Sequence, residues 1–422
     1  MPDTIHTDTL HVIHARAAGL DVHKMQITAS VRLAQSGVAA ETHTRTFNAL
    51  PSGLRELTGW LLEHRVSAAV MEATGIYWEV VFEALESAGI EPLLVHAQHV
   101  KQLKGRKTDI ADSLWLARIC QFGLCRPSFV PPADFRALRK VSRQRHKVVR
   151  LRATLRTRIH QCLDGAGLRV GGVLSDLFGV NGRRILDGLV AGLTPAAILP
   201  TLSGHVRPRL AALGDALSAT LRPEARFVLQ DQLAAFDNAN ARIAQYDAFI
   251  RQHLAPYQAQ LDLLMTLPGI DHAAARALLI ELGPDVKVFP TARHCAAWAG
   301  LCPGNNESAG KRRHGRTRQG NPHLRTLLIE CAHGAARTHH CQFQGYHKAL
   351  TVRRGYKRAT VATAHKLLRT LYRMLITGQP YQDPHTDYEA LMVKRNAPRW
   401  VKMLQKYGYP TPNRAPDMPE AA

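Results

Sequence analysis

The strongest constraint on the fold is the order of segments between residues 17 and 123. "AGLDVHKMQITASVRLA" (18–34) reads as two short strands joined at "VHK", and 40–47 adds a third. Residues 52–64 read as a helix, "VSAAVMEAT" (66–74) as a buried strand, and "YWEVVFEALESAG" (77–89) as a helix ending at Gly89. "IEPLLVHA" (90–97) is a further strand, and "TDIADSLWLARICQFG" (108–123) a helix capped by Thr108 and closed by Gly123. Strands come first and then alternate with helices. That order predicts an α/β sheet with helices on its faces.

The character changes at Pro127, Pro131 and Pro132. From Phe135 to Leu163 there are ten Lys/Arg, no carboxylate and a strongly helical pattern. A solvated helix face is the bland explanation. Ten uncompensated like charges repel, so a bound polyanion is the better one. Arg136, Arg139, Lys140, Arg143, Arg145, Lys147 and Arg150 are the candidate contacts. The whole chain carries 55 Lys+Arg against 33 Asp+Glu, a formal charge of +22, which points the same way.

Residues 165–205 read as helices with turns. Residues 208–256, alanine-rich, read as a helical hairpin or coiled-coil arm that also suits self-association. In 263–289, Pro268-Gly269-Ile270 makes a tight turn into a helix. This resembles a helix-hairpin-helix element, with Gly269 presenting backbone N–H groups to phosphates; a plain helical hairpin is the alternative. Short helices over 292–304, 323–339 and 359–376 complete a largely α-helical C-terminal part. The boundaries are an extension 1–16, an α/β domain 17–126, a basic helical linker and arm 127–260, a C-terminal domain 261–380 and a tail 381–422.

Seven cysteines without a C-x-x-C pair suggest free thiols in a reducing compartment. Cys295 and Cys302, with His294 and His314, lack the usual zinc-ligand spacings. No apolar segment has signal-peptide or membrane-span length, so the expectation is a cytoplasmic protein with no membrane partner.

Four carboxylates stand out in the first domain. Asp21 lies in the first strand and Glu72 at the end of a later buried one, where lone carboxylates are rare. Asp109 and Asp112 are three apart, on one face of a helix. Together they would repel unless a divalent cation held them, and hard oxygen ligands suit Mg²⁺. Such a site could activate an attacking oxygen and stabilise a leaving one in phosphodiester chemistry.

The second candidate is "GNNESAGKRRHGRTRQGN" (304–321). Ser308 is the only serine after Ser218. Gly304 and Gly310 allow close approach to a phosphate. Lys311, Arg312, Arg313, Arg316 and Arg318 could hold phosphate oxygens, with Arg325 just beyond. A serine hydroxyl is a weak nucleophile without an activating base or metal, and no histidine motif adjoins Ser308. A turn residue in a basic loop is the alternative.

"GLDVHK", "MEATGIYWE" and "KTDIADSLWLARI" resemble the N-terminal RuvC-like (RNase H-like) DEDD domain of a family of insertion-sequence transposases. "LMTLPGI" and "FPTARHCAAWAGLCPGNNESAGKRRHGRTRQGNPHLRTLL" resemble that family's C-terminal transposase domain. These are the bridge-RNA-guided DEDD transposases, also described as serine recombinases. The resemblance runs from about 18 to 375 and implies that Asp21, Glu72, Asp109 and Asp112 are the acidic tetrad and Ser308 the catalytic serine. It further implies a covalent phosphoserine link to DNA, Mg²⁺ assistance, the two domains supplied by different subunits of a dimer or tetramer, and a structured guide RNA pairing with donor and target double-stranded DNA. One departure is Ser308-Ala309-Gly310, where the family often has Ser-Gly or Ser-Ser-Gly-Gly. A metal-only nuclease of the Holliday-junction-resolvase type, and a non-catalytic nucleic-acid-binding protein, are the rival readings.

Overall fold

The computed structural model describes residues 11–35, 38–73, 75–96, 109–304, 307–308, 311–312 and 317–409. They fall into two compact units that divide at Ala133/Asp134.

The first unit is built on one mixed sheet. Strands β1 (Arg16–Val22), β2 (Gln26–Gln35) and β3 (Val38–Asn48) form an antiparallel meander, and β4 (Ala68–Glu72) and β5 (Glu91–Val95) continue it in parallel. The strand order is β3-β2-β1-β4-β5. The period-2 alternation of strands sends side chains to both faces. Ala18, Leu20 and Val22 of β1 join Ala69 and Met71 of β4 in a core closed by helices α1 (Pro51–Glu63) and α2 (Trp78–Ser87). Ala17, Ala68 and Val70 face the other way, against Leu116, Ile119 and Cys120 of α3 (Asp109–Gln121). Burying a leucine such as Leu116 stabilises by about 2 kcal/mol.

Gly19 sets how closely α3 lies on the sheet. A Cβ there would stand 2.1 Å from the Ser113 carbonyl oxygen and 2.2 Å from the Ala117 nitrogen. The hydroxyls of Ser113 and Ser30, 2.7 Å apart and buried, fix the same contact. The expected α/β architecture stands, with strands and helices within a few residues of their sequence assignments. Thr108, the anticipated cap of α3, lies outside the described residues.

The second unit is helical. Helix α4 (Ala133–Gly165) contains the basic run. Short helices α5 (Val170–Val173), α6 (Val180–Val190), α7 (Pro195–Ile198) and α8 (Leu210–Ala216) lead to α9 (Pro223–Leu254). Helix α9 returns antiparallel to α4: Arg145 forks onto Asp247 at 2.7 and 3.0 Å, and Arg152 reaches Asn240 at 3.3 Å. One apolar core runs through both long helices and the short ones between them, from Val148 through Ile185 and Leu213 to Ile243. The hairpin is therefore made by α9 with α4, not within 208–256 alone. The basic run is also not uncompensated, because carboxylates distant in sequence reach it.

Helices α10 (Gln258–Met265), α11 (His272–Leu282), α12 (Ala292–Trp298), α13 (Pro322–Arg337), α14 (Gln342–Arg354) and α15 (Tyr356–Thr377) form the rest, with α16 (Tyr388–Lys406) last. Asp271 caps α11 by accepting from the Ala274 N–H at 2.8 Å. The turn before it holds Gly269 at φ +83°, where a Cβ would stand 2.4 Å from both the Cys331 carbonyl oxygen and the Ala335 nitrogen of α13. The Cα side of Gly269 is thus packed against α13.

Candidate active site

β1 and β4 run parallel with Leu20 opposite Met71, so Asp21 and Glu72 are the next residues along neighbouring strands. Parallel neighbours in register project to the same face. Asp21 shares the face of Gly19, and Glu72 that of Ala68 and Val70, which is the face α3 covers. On α3, Asp112 directly precedes Ser113, whose carbonyl packs over Gly19, and it is exposed. Asp109 begins that helix one turn earlier; its side chain lies outside the described residues. The fold thus puts Asp21 and Glu72 on one face of the sheet, and Asp112 on the helix that covers that face. Among the described residues no three His, Cys, Asp or Glu side chains are already gathered as an ion-binding group. His23 adds a neighbour that the sequence reading passed over, its Nε2 3.1 Å from Asp21 Oδ2.

Ser308 lies in a two-residue strand β6 (Glu307–Ser308) that pairs antiparallel with β7 (Lys311–Arg312), placing Ser308 opposite Lys311. Their side chains, and all of Arg313 and Arg316, lie outside the described residues. The base of the loop is well defined. Pro303 bridges to Thr317, the Arg318 N–H donates to the Cys302 carbonyl at 3.1 Å, and the Asn321 N–H to the Trp298 carbonyl at 3.0 Å. Gly300, at φ +70°, and Gly320 touch so closely that a Cβ on Gly320 would be 2.3 Å from the Gly300 nitrogen.

This neck is tied to α4 through Glu281, a residue the sequence reading missed. Glu281 is 3% exposed. Arg143 forks onto its two oxygens at 2.9 Å each, and Asn321 Nδ2 donates to Oε2 at 2.7 Å. Asn321 also caps α13, its Oδ1 accepting from the His323 and Leu324 N–H groups. Arg139 donates to the last carbonyls of α11, at Ile280 and Glu281, and lies 5.6 Å from the centre of the Trp298 ring. Burial drives the Arg139 guanidinium down to about 10, against the pull of Glu281. Burial alone would raise Glu281, but the Arg143 hydrogen bonds and the two guanidinium charges bring it below its ordinary value. The "GNP" at 320–322 was the available signal, an Asn cap with Pro in the first turn.

The candidate nucleic-acid contacts therefore divide. Arg136 is buried, Arg139 and Arg143 hold Glu281, and Arg145 holds Asp247. Arg325 is half-buried, while Lys140, Lys147, Arg150 and Arg318 are exposed.

Residues 18–167 match a family model for the DEDD transposases of the IS110 group, and residues 261–348 match one described as transposase, IS116/IS110/IS902 family. A probable family 20 transposase of Pseudomonas aeruginosa is 30% identical over 319 residues, covering 72% of this chain and 82% of that protein. This chain belongs to the IS116/IS110/IS902 family of transposases. The transposase is also 28% identical to the transposase of insertion sequence element IS1111A from Coxiella burnetii, over 75% of this chain and 80% of the relative. Thermus thermophilus RuvC aligns at 16% identity with a TM-score of 0.22, over 26% of the transposase and 99% of RuvC. The acidic face lies in the first matched region and Ser308 in the second. Family membership makes the chain a DNA transposase and disfavours the non-catalytic reading. Among the described residues no helix is long and apolar enough to cross a membrane.

Proposed function

We propose that the transposase cuts and rejoins DNA through Ser308, assisted by the carboxylate face, under the direction of a structured RNA. The observation that supports this reading is that Asp21 and Glu72 stand at neighbouring register positions on the sheet face that α3, the helix of Asp112, covers, in a chain whose other matched region has a lone serine on an anchored basic loop. The Ser308 Oγ attacks a backbone phosphorus. A Ser–O–P bond forms as one P–O bond to deoxyribose breaks, and the leaving sugar oxygen takes up a proton as the serine loses one. The phosphoserine retains the bond's energy, so attack by another sugar hydroxyl reverses the step and joins a strand. Hard carboxylate oxygens fit Mg²⁺, with Asp21, Glu72, Asp109 and Asp112 as the residues that would hold it. When bound, the ion would supply charge neutralisation and acidify an oxygen. The cations beside Ser308 would bind the phosphate's other oxygens. RNA guidance and a dimer or tetramer rest on the resemblance of the motif blocks.

The test is denaturing electrophoresis of protein incubated with Mg²⁺, co-expressed RNA and DNA carrying an element junction. A covalent protein–DNA adduct is expected from the wild type and none from Ser308→Ala. Adduct formed equally by the variant would remove the serine assignment, and cleavage without any adduct would favour the metal-only route. Asp21→Asn and Asp112→Asn should each abolish recombination; normal recombination by both would sink the acidic site. Unchanged target choice after RNase treatment would sink RNA guidance.

A further inference from the structure

Between Glu330 and Asp383 the chain has nine Lys/Arg and no carboxylate. Four of these cations, Arg353, Arg354, Lys357 and Arg358, fall within six residues at the turn from α14 to α15, and all four are exposed. The contrast with α4 is direct. There Arg139, Arg143 and Arg145 are held by carboxylates from other helices. At this turn none of the four side chains has an ion-pair or hydrogen-bond partner among the described residues. Their charge plays no part in the folding described above.

The turn is also shaped to meet something. Gly355 makes it at φ +81°, and a Cβ added there would find nothing within 4 Å, so the space beside the glycine is open. Tyr356 is 51% exposed yet held: its ring stacks on His333 at 5.6 Å and 18°, and its hydroxyl lies 2.9 Å from His333 Nδ1. Val352 beside it is 76% exposed. Exposed cations flanking an ordered aromatic edge form a footprint for a sugar–phosphate backbone, since phosphates take the charges and sugars the apolar edge.

We infer that the α14–α15 turn is a DNA-docking site separate from the serine loop, gripping the duplex backbone without reading its sequence. Duplex DNA is the occupant because DNA is what a transposase acts on. The inference does not depend on the Ser308 chemistry, which an adduct assay reads independently.

The experiment measures binding of a short fluorescent DNA duplex to the full chain across a salt series by anisotropy. A variant combining R353Q, R354Q, K357Q and R358Q is compared with an α16 variant that removes equal charge, R395Q, R399Q, K402Q and K406Q. The slope of log affinity against log salt should become shallower by about 0.9 for each phosphate the protein no longer neutralises, so by about 3 to 4 in the turn variant. The α16 variant should change it far less. Equal effects from both variants would reduce the site to net charge and overturn it, as would an unchanged slope. Loss of affinity for an RNA hairpin with DNA affinity intact would transfer the site to RNA and overturn the DNA assignment. If thermal melting shows the fourfold variant unfolded, R354Q and R358Q are measured singly, each expected to lower the slope by about 0.9, and an unchanged slope in both would overturn the site.

Discussion

Glu281 shows how much one side chain can organise. It joins α4, through Arg143, to Asn321 at the stem of the serine loop. Glu281→Ala would leave Arg139 and Arg143 without their buried counter-charge and should cost about 3 kcal/mol or more in urea unfolding; a loss under about 0.5 kcal/mol would show that the network is incidental. The sign of its pH dependence follows from its lowered pKa. The stabilisation is complete above the unfolded carboxylate value, about 4.3, and fades as pH falls through the lower folded value. The melting-temperature gap between wild type and Glu281→Gln should therefore be widest near neutrality and close below about pH 4. A gap that stays constant into acid would contradict the ionised pair. Glu281 was illegible in the sequence, because in "LLIELG" it looks like an ordinary helix residue whose partners lie 138 and 40 positions away. Asp21 and Glu72 were legible, since a carboxylate inside an apolar strand run is conspicuous without any knowledge of contacts.

Among the elements, the sheet and α3 form the unit on which the acidic face depends. Gly19→Ala should force α3 away from β1 and carry Asp112 with it. The expected result is a stability loss of about 1–3 kcal/mol and loss of recombination together. Full recombination by a destabilised Gly19→Ala protein would show that the α3 contact does not position Asp112. The strands were readable because local apolar runs and turns specify them. The arm was only half readable: the lengths of α4 and α9 follow from their own patterns, but their pairing depends on contacts such as Arg145–Asp247, 102 residues apart. The packing of Gly269 was unreadable for a similar reason. A glycine after proline looks the same in sequence whether or not a helix packs against its Cα, and only the structure shows the backbone of α13 there.

For the whole molecule, a formal charge of +22 overstates what is available to DNA, because part of the arginine complement is committed to internal carboxylates. The two populations should separate experimentally. Arg145→Gln should lower the melting temperature and leave the salt slope of DNA binding nearly unchanged. Lys147→Gln, exposed on the same helix, should leave melting unchanged and reduce the slope by up to about 0.9 if it meets a phosphate. Identical behaviour of the two variants would refute this division of the charge.

The joined Gly300 and Gly320 and the Pro303–Thr317 bridge fix both ends of the serine loop before the chain enters it. A loop closed at its base is insulated from its scaffold. Doubling its length would cost only about 0.6 kcal/mol in closure entropy. Changes of length between the two anchored ends should therefore cost the fold little while altering the chemistry.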